Sequence, residues 1–263
     1  MNLILFEPAE LNTPLPRTDP RAEHILKILR REIGDPFDVG LVNGPHGKGT
    51  LAALTDEALC LTFAWGPPPP PAAPITLLIG LPRPQTARDI LRDATTLGVG
   101  ALHFIATERS DPNYANATLW TSGEWRRHVL AGAAQAFTTR LPVITHDRDL
   151  TSALTALPSA PTLPLTQNPA HDPAPPPAAP PRSPLTRLAL DNYEATTPLS
   201  QCHLKGDTSI VLALGPERGW GPADRAALRA HGFTLVDLGS RVLRSETAVI
   251  AALTLVRAKL GLL

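Results

Sequence analysis

The sequence has two cysteines, no long apolar run and no excess of charge, and each of these absences excludes a class of protein. Cys60 and Cys202 are far apart and lack CxxC spacing, so neither a disulfide framework nor a structural zinc site is expected, and a reducing cytoplasm fits. No apolar run approaches the roughly 18 residues that span a bilayer. Glu7 and Pro8 end the first apolar run before a signal-peptide core could form. We therefore expect a cytoplasmic protein with no membrane segment and no metal.

Charge and glycine spacing narrow the function further. Lys plus Arg number 24, as do Asp plus Glu, so no overall field attracts nucleic acid and any basic binding surface must be local. The GxGxxG fingerprint of dinucleotide binding and the GxxxxGK(S/T) phosphate loop are both missing. A Rossmann-type oxidoreductase or a P-loop ATPase is therefore disfavoured.

Proline is what the chain has in excess, at 30 of 263 residues, about twice the average usage of roughly 5%. Five consecutive prolines make residues 67–74 a stiff linker between two predicted domains. From about residue 158 to residue 184 the chain is again rich in proline and alanine, with few large apolar residues. This composition predicts a surface excursion and not a third domain.

Residues 1–66 are predicted to form a small β-rich domain with one helix. Short apolar runs at residues 3–6, 36–42, 50–54 and 58–65 are divided by Gly, Pro, Asn and Asp, as in a compact barrel. The helix is predicted over residues 20–32, with Asp19 as its N-cap and Gly34 as its stop.

One end of this helix carries a histidine and three cations: His24, Lys27, Arg30 and Arg31. Two interpretations stay open at this point. Lys and Arg usually lie in water, so these residues can form an ordinary solvated face. Alternatively, they form an edge that contacts the phosphates of a nucleic acid.

Residues 75–263 alternate between strand and helix patterns, which predicts an α/β domain with a parallel sheet. The last helix, predicted over residues 245–260 with Ser245 as N-cap, is apolar nearly all round. Such a helix must be covered on two sides, so a subunit interface is expected. The strands are predicted over residues 75–81, 102–107, 142–145, 187–191, 210–214 and 233–238, and the other helices over residues 86–97 and 123–135 and from Pro222.

Two of these strands end in glycine-bearing loops that each lead into a helix. We call residues 215–221 the first loop and residues 239–245 the second loop. In a parallel sheet such loops lie at the carboxyl edge of the strands, where backbone N–H groups and helix N-termini bind ligands. We therefore expect a cofactor at this edge.

The sequences of both loops are similar to the motifs of one family. LGPERGW at residues 214–220 and LGSRVLRSETA at residues 238–248 resemble the RsmE family of the SPOUT superfamily, methyltransferases that act on N3 of a uridine in 16S ribosomal RNA. TERS at residues 107–110 and the basic residues of the first helix agree as well, so the resemblance covers both domains. It implies a PUA-like β-barrel for RNA, a C-terminal parallel sheet with a deep trefoil knot that binds S-adenosyl-L-methionine, and a homodimer.

The resemblance also implies roles for individual residues. Arg109 would stabilise the anion that develops on uracil, and Arg140 would bind RNA together with the basic residues of the first helix; for both, a salt bridge or a bond to a carbonyl stays an open alternative. Glu217 would take part in catalysis or bind the cofactor, unless it only favours the N-terminus of the helix beginning at Pro222. The residues implied to bind the cofactor are Leu214, Gly215, Pro216, Glu217, Gly219, Leu238, Gly239, Arg241, Val242, Leu243 and Arg244.

Three departures from the family pattern leave other functions open. Residues 93–98 lack a Lys and a Glu that the family commonly has, and residues 133–138 keep only the first Ala and the Gln of an AEQSGR-like run. Arg218 stands where the family has a glycine. The chain can therefore also be a knotted RNA-binding protein with impaired catalysis, or a SPOUT methyltransferase with a different RNA target.

Overall fold

The computed structural model describes residues 3–157, 184–204 and 208–263. The predicted proline-rich excursion therefore lies, apart from Pro184, outside the described residues. The chain divides into two compact units. Unit 1 is Met1–Ala73, Arg88–Gly100 and Thr118–Val143, and unit 2 is Pro74–Ala87, Ala101–Ala117 and Ile144–Leu263. Because these units each combine several stretches of sequence, the predicted domain boundary at residues 67–74 stays a prediction.

Unit 1 contains a five-stranded sheet with the strand order β1-β3-β4-β5-β2. β1 pairs with β3 in parallel, and the other pairs are antiparallel. The sheet confirms the predicted β-rich start of the chain. Its strands are β1 (Ile4–Phe6), β2 (Leu15–Pro16), β3 (Pro36–Leu41), β4 (His46–Leu54) and β5 (Ala58–Trp65).

The helix predicted over residues 20–32 is shorter in the structure. α1 (Pro20–Glu23) continues as a π-helical stretch, His24–Ile28. Asp19 is confirmed as the N-cap, because its Oδ1 accepts the backbone N–H two residues on at 2.8 Å. The predicted extension to residue 32 is wrong: Arg30 has a φ of 52°, which no helix residue adopts, and Gly34 is therefore not the stop.

The second sheet has seven strands, which lie almost wholly in unit 2, in the order β10-β12-β9-β11-β6-β7-β8. β11 pairs in parallel with β6 and β9, and β12 pairs in parallel with β9 and β10. This arrangement confirms the predicted α/β class with a parallel sheet. Its strands are β6 (Ala73–Gly80), β7 (Val99–Ala106), β8 (Val143–Asp149), β9 (Leu185–Leu190), β10 (Thr197–Pro198), β11 (Ser209–Leu214) and β12 (Thr234–Asp237).

Six further helices follow α1, and none among the residues described is long and apolar enough to cross a bilayer. The predicted N-cap of the last helix is wrong by one residue, because Arg244 occupies that position and Ser245 is the first helical residue. The helices are α2 (Pro84–Thr96), α3 (Thr118–Thr121), α4 (Trp125–Gln135), α5 (Leu150–Ala156), α6 (Pro222–Ala230) and α7 (Ser245–Lys259).

β11 lies inside the core of unit 2. All its residues after Ser209 are buried, which explains why its sequence is a continuous apolar run: a parallel strand covered on both faces has no solvent side to make polar. Val211 and Ala213 pack with Trp220 and with Leu228 of α6 in one apolar cluster. The core thereby fixes both ends of the first loop.

Candidate active site

The carboxyl ends of β9, β11 and β12 lie at one edge of the sheet, because β9 is the parallel neighbour of both other strands. A cavity of about 250 Å³ opens there. Both loops line it, and so do the residues that follow β9. The structure thus brings together most of the residues implied to bind the cofactor, namely Leu214, Gly215, Pro216, Glu217, Gly219, Leu238, Arg241, Val242 and Leu243.

Two of the residues implied to bind the cofactor lie elsewhere. Gly239 lines an adjoining cavity of about 310 Å³ that shares Asn192, Arg241 and Val242 with the first. Arg244 belongs to neither lining. Part of the wall was not predicted, although one signal was available: residues 190–193 lie at and just beyond the end of the strand predicted over residues 187–191. The wall residues outside the two loops, which were missed, are Leu190, Asp191, Asn192, Tyr193 and Ala248.

Glu217 stands on the cavity wall and not at a helix start. The backbone N–H and the Nε–H of Arg83 both donate to its Oε1, at 3.0 and 3.1 Å. The N-cap of α6 is Gly221, and the N–H of Gly221 donates to Asp224 Oδ2 at 2.9 Å. Asp224 therefore caps α6, and the role of Glu217 stays a prediction.

Arg109 is bonded to the backbone of the first loop. Its Nη1 donates to the carbonyl oxygen of Arg218 at 3.0 Å, as in the carbonyl-bonding alternative. The side chain of Arg218 is exposed, lines the cavity and has no ion-pair partner among the described residues. The turn is completed by Gly219, whose φ of 68° favours glycine.

The first loop is also packed against its neighbours at both ends. At its start, a Cβ on Gly80 of β6 would lie 2.4 Å from Pro216 Cδ, so only glycine allows this approach. At its end, Trp220 is buried and its Nε1–H donates to the carbonyl oxygen of Leu190 at 2.9 Å. This bond joins the first loop to the segment after β9.

The second loop has few such bonds. Gly239 has a φ of 99°, and its N–H donates to Asp237 Oδ1 at 2.8 Å. Val242 is 83% exposed. Arg241 and Arg244 are exposed, and neither has an acidic partner within the part of the chain that the structure describes. The loop therefore presents an apolar side chain and two cations next to the cavity.

A buried ion pair holds the segment after β9. Arg225 Nε of α6 lies 2.7 Å from Asp191 Oδ2, and these side chains are 6% and 1% exposed. Asp191 Oδ1 also accepts the backbone N–H groups of Tyr193 and Glu194, at 2.8 and 2.6 Å. One carboxylate thus fixes the turn that forms the third wall of the cavity.

The basic residues of the first helix do not share one helix face. His24 and Lys27 lie in the π-helical stretch, whereas Arg30 and Arg31 follow it. Lys27 is exposed and pairs with Glu23 at 3.0 Å. His24 lines a separate cavity of about 660 Å³ in unit 1.

Ion pairs and carbonyl bonds occupy other cations of unit 1. Arg21 bonds to Glu10 and to Asp19, and these hydrogen bonds lower the pKa of both carboxyl groups. Arg140 donates through Nε to the carbonyl oxygen of Pro70 at 3.3 Å. No group of three or more His, Cys, Asp or Glu side chains that could hold a metal ion occurs within residues 3–157, 184–204 and 208–263.

Comparison with protein families finds one match for most of the chain. The family model described as an RNA methyltransferase domain matches residues 68–257. The chain is also 32% identical, over 98% of its length and 91% of the relative's, to the ribosomal RNA small subunit methyltransferase E of Treponema pallidum. A second relative of that description, from Synechocystis, is 28% identical over 92% of this chain and 72% of its own length.

Solved structures share the fold over nearly the whole chain. A probable rRNA-methyltransferase from Porphyromonas gingivalis superimposes with a TM-score of 0.73 at 19% identity, over 98% of this chain and 99% of its own. The ribosomal RNA small subunit methyltransferase E of Neisseria gonorrhoeae, solved bound to S-adenosyl methionine, gives 0.68 at 22% identity, over 97% of each chain.

Proposed function

Because the chain belongs to the ribosomal RNA small subunit methyltransferase E family, we propose that it transfers a methyl group from S-adenosyl-L-methionine to N3 of a uridine in 16S ribosomal RNA. The observation that carries the proposal is the cavity at the sheet edge, where the two loops with the family motif meet. The cytoplasm is the proposed place of action, where the two free cysteines fit a reducing environment.

The residues of the cavity fit the proposed cofactor. S-adenosyl-L-methionine has an apolar-faced base, a carboxylate and two cationic groups, and its sulfonium supplies the methyl group. Leu214, Leu238 and Leu243 form an apolar part of the cavity wall. Arg241 can form an ion pair with the carboxylate of the cofactor, and the Glu217 carboxylate can pair with one of its cationic groups. No enzyme nucleophile is needed, so the chain's contribution is to hold donor and acceptor in line.

The acceptor nitrogen of uracil carries a proton, so negative charge develops on the ring as the methyl group arrives. A cation near O2 or O4 stabilises that charge, and we assign this role to Arg109. One of its N–H groups is used on the Arg218 carbonyl, and a guanidinium has five. No other hydrogen bond of this side chain occurs among the described residues, so its remaining N–H groups can donate to an oxygen of the base.

RNA binding is proposed for His24, Lys27, Arg30, Arg31 and Arg140. Lys27 and Arg30 support this best, because both are exposed. The double variant Lys27→Ala, Arg30→Ala should weaken binding to small-subunit RNA and reduce the salt dependence of log K by about one for each phosphate that is no longer neutralised. Lys48→Ala is the control, because Lys48 is also exposed and ion-paired in unit 1. An unchanged salt dependence of RNA binding in the double variant would mean that these residues form an ordinary solvated surface and do not contact phosphates.

Three structural features complete the proposal: a PUA-like barrel, a deep trefoil knot and a homodimer. Support for the knot is that β12 lies between β9 and β10 in the sheet. A later segment of the chain is thus inserted between two earlier strands. Support for the dimer is the apolar exposure of Ile250 on α7, at 41%, and of Val242 on the second loop, at 83%. Sedimentation of Ile250→Glu against wild type tests it, and a wild-type monomer refutes it.

The activity is tested with purified protein, radiolabelled S-adenosyl-L-methionine and small subunits that lack the modification. Nuclease digestion and chromatography should then give 3-methyluridine. Label on another nucleotide would mean a different RNA target. Cofactor binding by calorimetry without any transfer would favour the RNA-binding protein with impaired catalysis.

A further inference from the structure

Tyr193 is the most exposed aromatic side chain in the part of the chain that the structure describes. It is 75% exposed, whereas Phe137, the other exposed aromatic residue, reaches 36%. Tyr193 lines the mouth of the cavity. Its Cε2 lies 3.6 Å from where a Cβ on Gly219 would be, so the ring stands against the first loop.

The ring is held in this exposed position from behind. The guanidinium carbon of Arg225 lies 5.3 Å from the ring centroid. Arg225 is itself fixed by Asp191, which also accepts the Tyr193 N–H. A buried ion pair is weak evidence for stability, because desolvation offsets the attraction of the charges. The ion pair between Arg225 and Asp191 is explained if it holds the turn in place and leaves the outer face of the Tyr193 ring accessible.

We propose that Tyr193 is the surface on which the acceptor base of the RNA stacks, with Arg225 and Asp191 as positioning residues. This inference rests on the proposed function. Proteins recognise unpaired RNA bases by stacking them on aromatic side chains, and a cation next to the ring adds to the interaction. The acceptor nitrogen has to meet the methyl group at the mouth of the cavity, which is where the ring lies.

The cofactor is the less suitable partner for this ring. A ligand inside a cavity hides most of its surface against the inner walls, and here those walls are formed by Leu214, Leu238, Leu243 and the buried Trp220. Arg218 and Arg241 stand beside the mouth without acidic partners among the described residues. They suit the phosphates that flank an RNA base.

The test measures RNA and cofactor separately in Tyr193→Leu, which keeps an apolar side chain but removes the aromatic face. We expect the Kd and KM for small-subunit RNA to rise about tenfold, in line with the removal of one stacking interaction. The Kd for S-adenosyl-L-methionine, measured by calorimetry, should change less than about twofold. Tyr193→Phe should recover most of the RNA affinity. Tyr114→Leu, at the half-buried second tyrosine of the chain, is the matched control.

The positioning role is tested by a double-mutant cycle. Arg225→Leu should weaken RNA binding in the same direction, and the pair Tyr193→Leu, Arg225→Leu should be no weaker than Tyr193→Leu alone, because both changes remove one interaction. A merely structural role for Arg225 would give additive effects. Asp191→Asn should act like Arg225→Leu, while Arg225→Lys, which keeps the charge, should lose less.

Three results separate the outcomes. Equal RNA affinity of wild type and Tyr193→Leu overturns the inference, whether or not the protein is active. An equal loss of RNA and cofactor affinity overturns it in favour of stacking by the cofactor. A wild-type protein that binds RNA through Tyr193 but neither binds S-adenosyl-L-methionine nor methylates refutes the proposed function and leaves the stacking surface standing.

Discussion

The two loops that line the cavity differ in how the rest of the protein holds them. Side-chain hydrogen bonds from Arg83, Arg109 and Trp220 all involve the first loop. The second loop has one such bond among the described residues, from the N–H of Gly239 to Asp237. Its Val242 and its arginines are exposed instead.

This difference helps to distinguish residues that the fold requires from residues that are available for binding. Residues of the first loop serve the core and the cavity together, so their identity has two explanations. The second loop carries the longer family motif, yet packing explains little of it, because Arg241, Val242 and Arg244 are exposed and the two arginines have no acidic partner in the described part of the chain. Side chains that the fold does not use are the ones available to a ligand or a second subunit.

Among these variants, Trp220→Ala should lower the free energy of unfolding most, because it removes the side chain that buries the end of the first loop. Loss of a buried tryptophan costs about 3–5 kcal/mol of unfolding free energy, measured by urea denaturation. Trp220→Phe keeps much of the bulk, loses the bond to Leu190, and should cost about 1 kcal/mol. A cost below about 1 kcal/mol for Trp220→Ala would show that the first loop is not part of the core.

Asp224→Ala should come next, because it removes the acceptor for the N–H groups of Gly221 and Glu108. An N-cap interaction and a further hydrogen bond together contribute about 2 kcal/mol. Asp224→Asn keeps one acceptor oxygen and should cost about half as much. Equal losses in the two variants would point to the charge and not to the hydrogen bonds.

Arg109→Met should cost only about 1 kcal/mol, since it breaks one partly exposed hydrogen bond. If Arg109 stabilises the developing anion as proposed, kcat should fall about a hundredfold while the Kd of the cofactor stays near the wild-type value. A cofactor Kd that rises by the same factor would mean that Arg109 acts only by holding the Arg218 carbonyl.

Arg241→Ala should have the smallest effect on folding, within about 0.5 kcal/mol, because its side chain is exposed and unpaired among the described residues. Cofactor binding should nevertheless weaken about tenfold, since the variant removes a charge-assisted hydrogen bond to the cofactor carboxylate. Arg17→Ala, at an exposed arginine of unit 1, should change neither quantity. Destabilisation by about 2 kcal/mol in Arg241→Ala would remove the contrast between the loops.

Local signals in the sequence predicted the elements well where each depends on neighbouring residues. The strand over residues 58–65 agrees at both ends with Ala58–Trp65, and Asp19 followed by Pro20 marked a true helix start. The helix end was wrong because Arg30 adopts a left-handed φ, which a sequence signals only for glycine or asparagine.

Long-range pairing was beyond prediction. Glu217 and Arg83 are 134 positions apart, and nothing in either segment indicates the other. Asp191 and Arg225 are likewise ordinary charged residues until the fold places them together in its interior. The loops could be predicted because a strand, a glycine and a helix follow one another along the chain, whereas the third wall depends on the lateral order of the strands.

The sparse bonding of the second loop has a consequence for hydrogen exchange. Backbone amides that lack hydrogen bonds and lie in loosely packed surroundings exchange with solvent through openings of small free energy. In the free protein the amides of residues 240–243 should therefore exchange fast, while the amide of the buried Gly221, which donates to Asp224 Oδ2, exchanges slowly. The second loop should therefore report on binding: a ligand that binds at the cavity should slow deuterium uptake in these four residues.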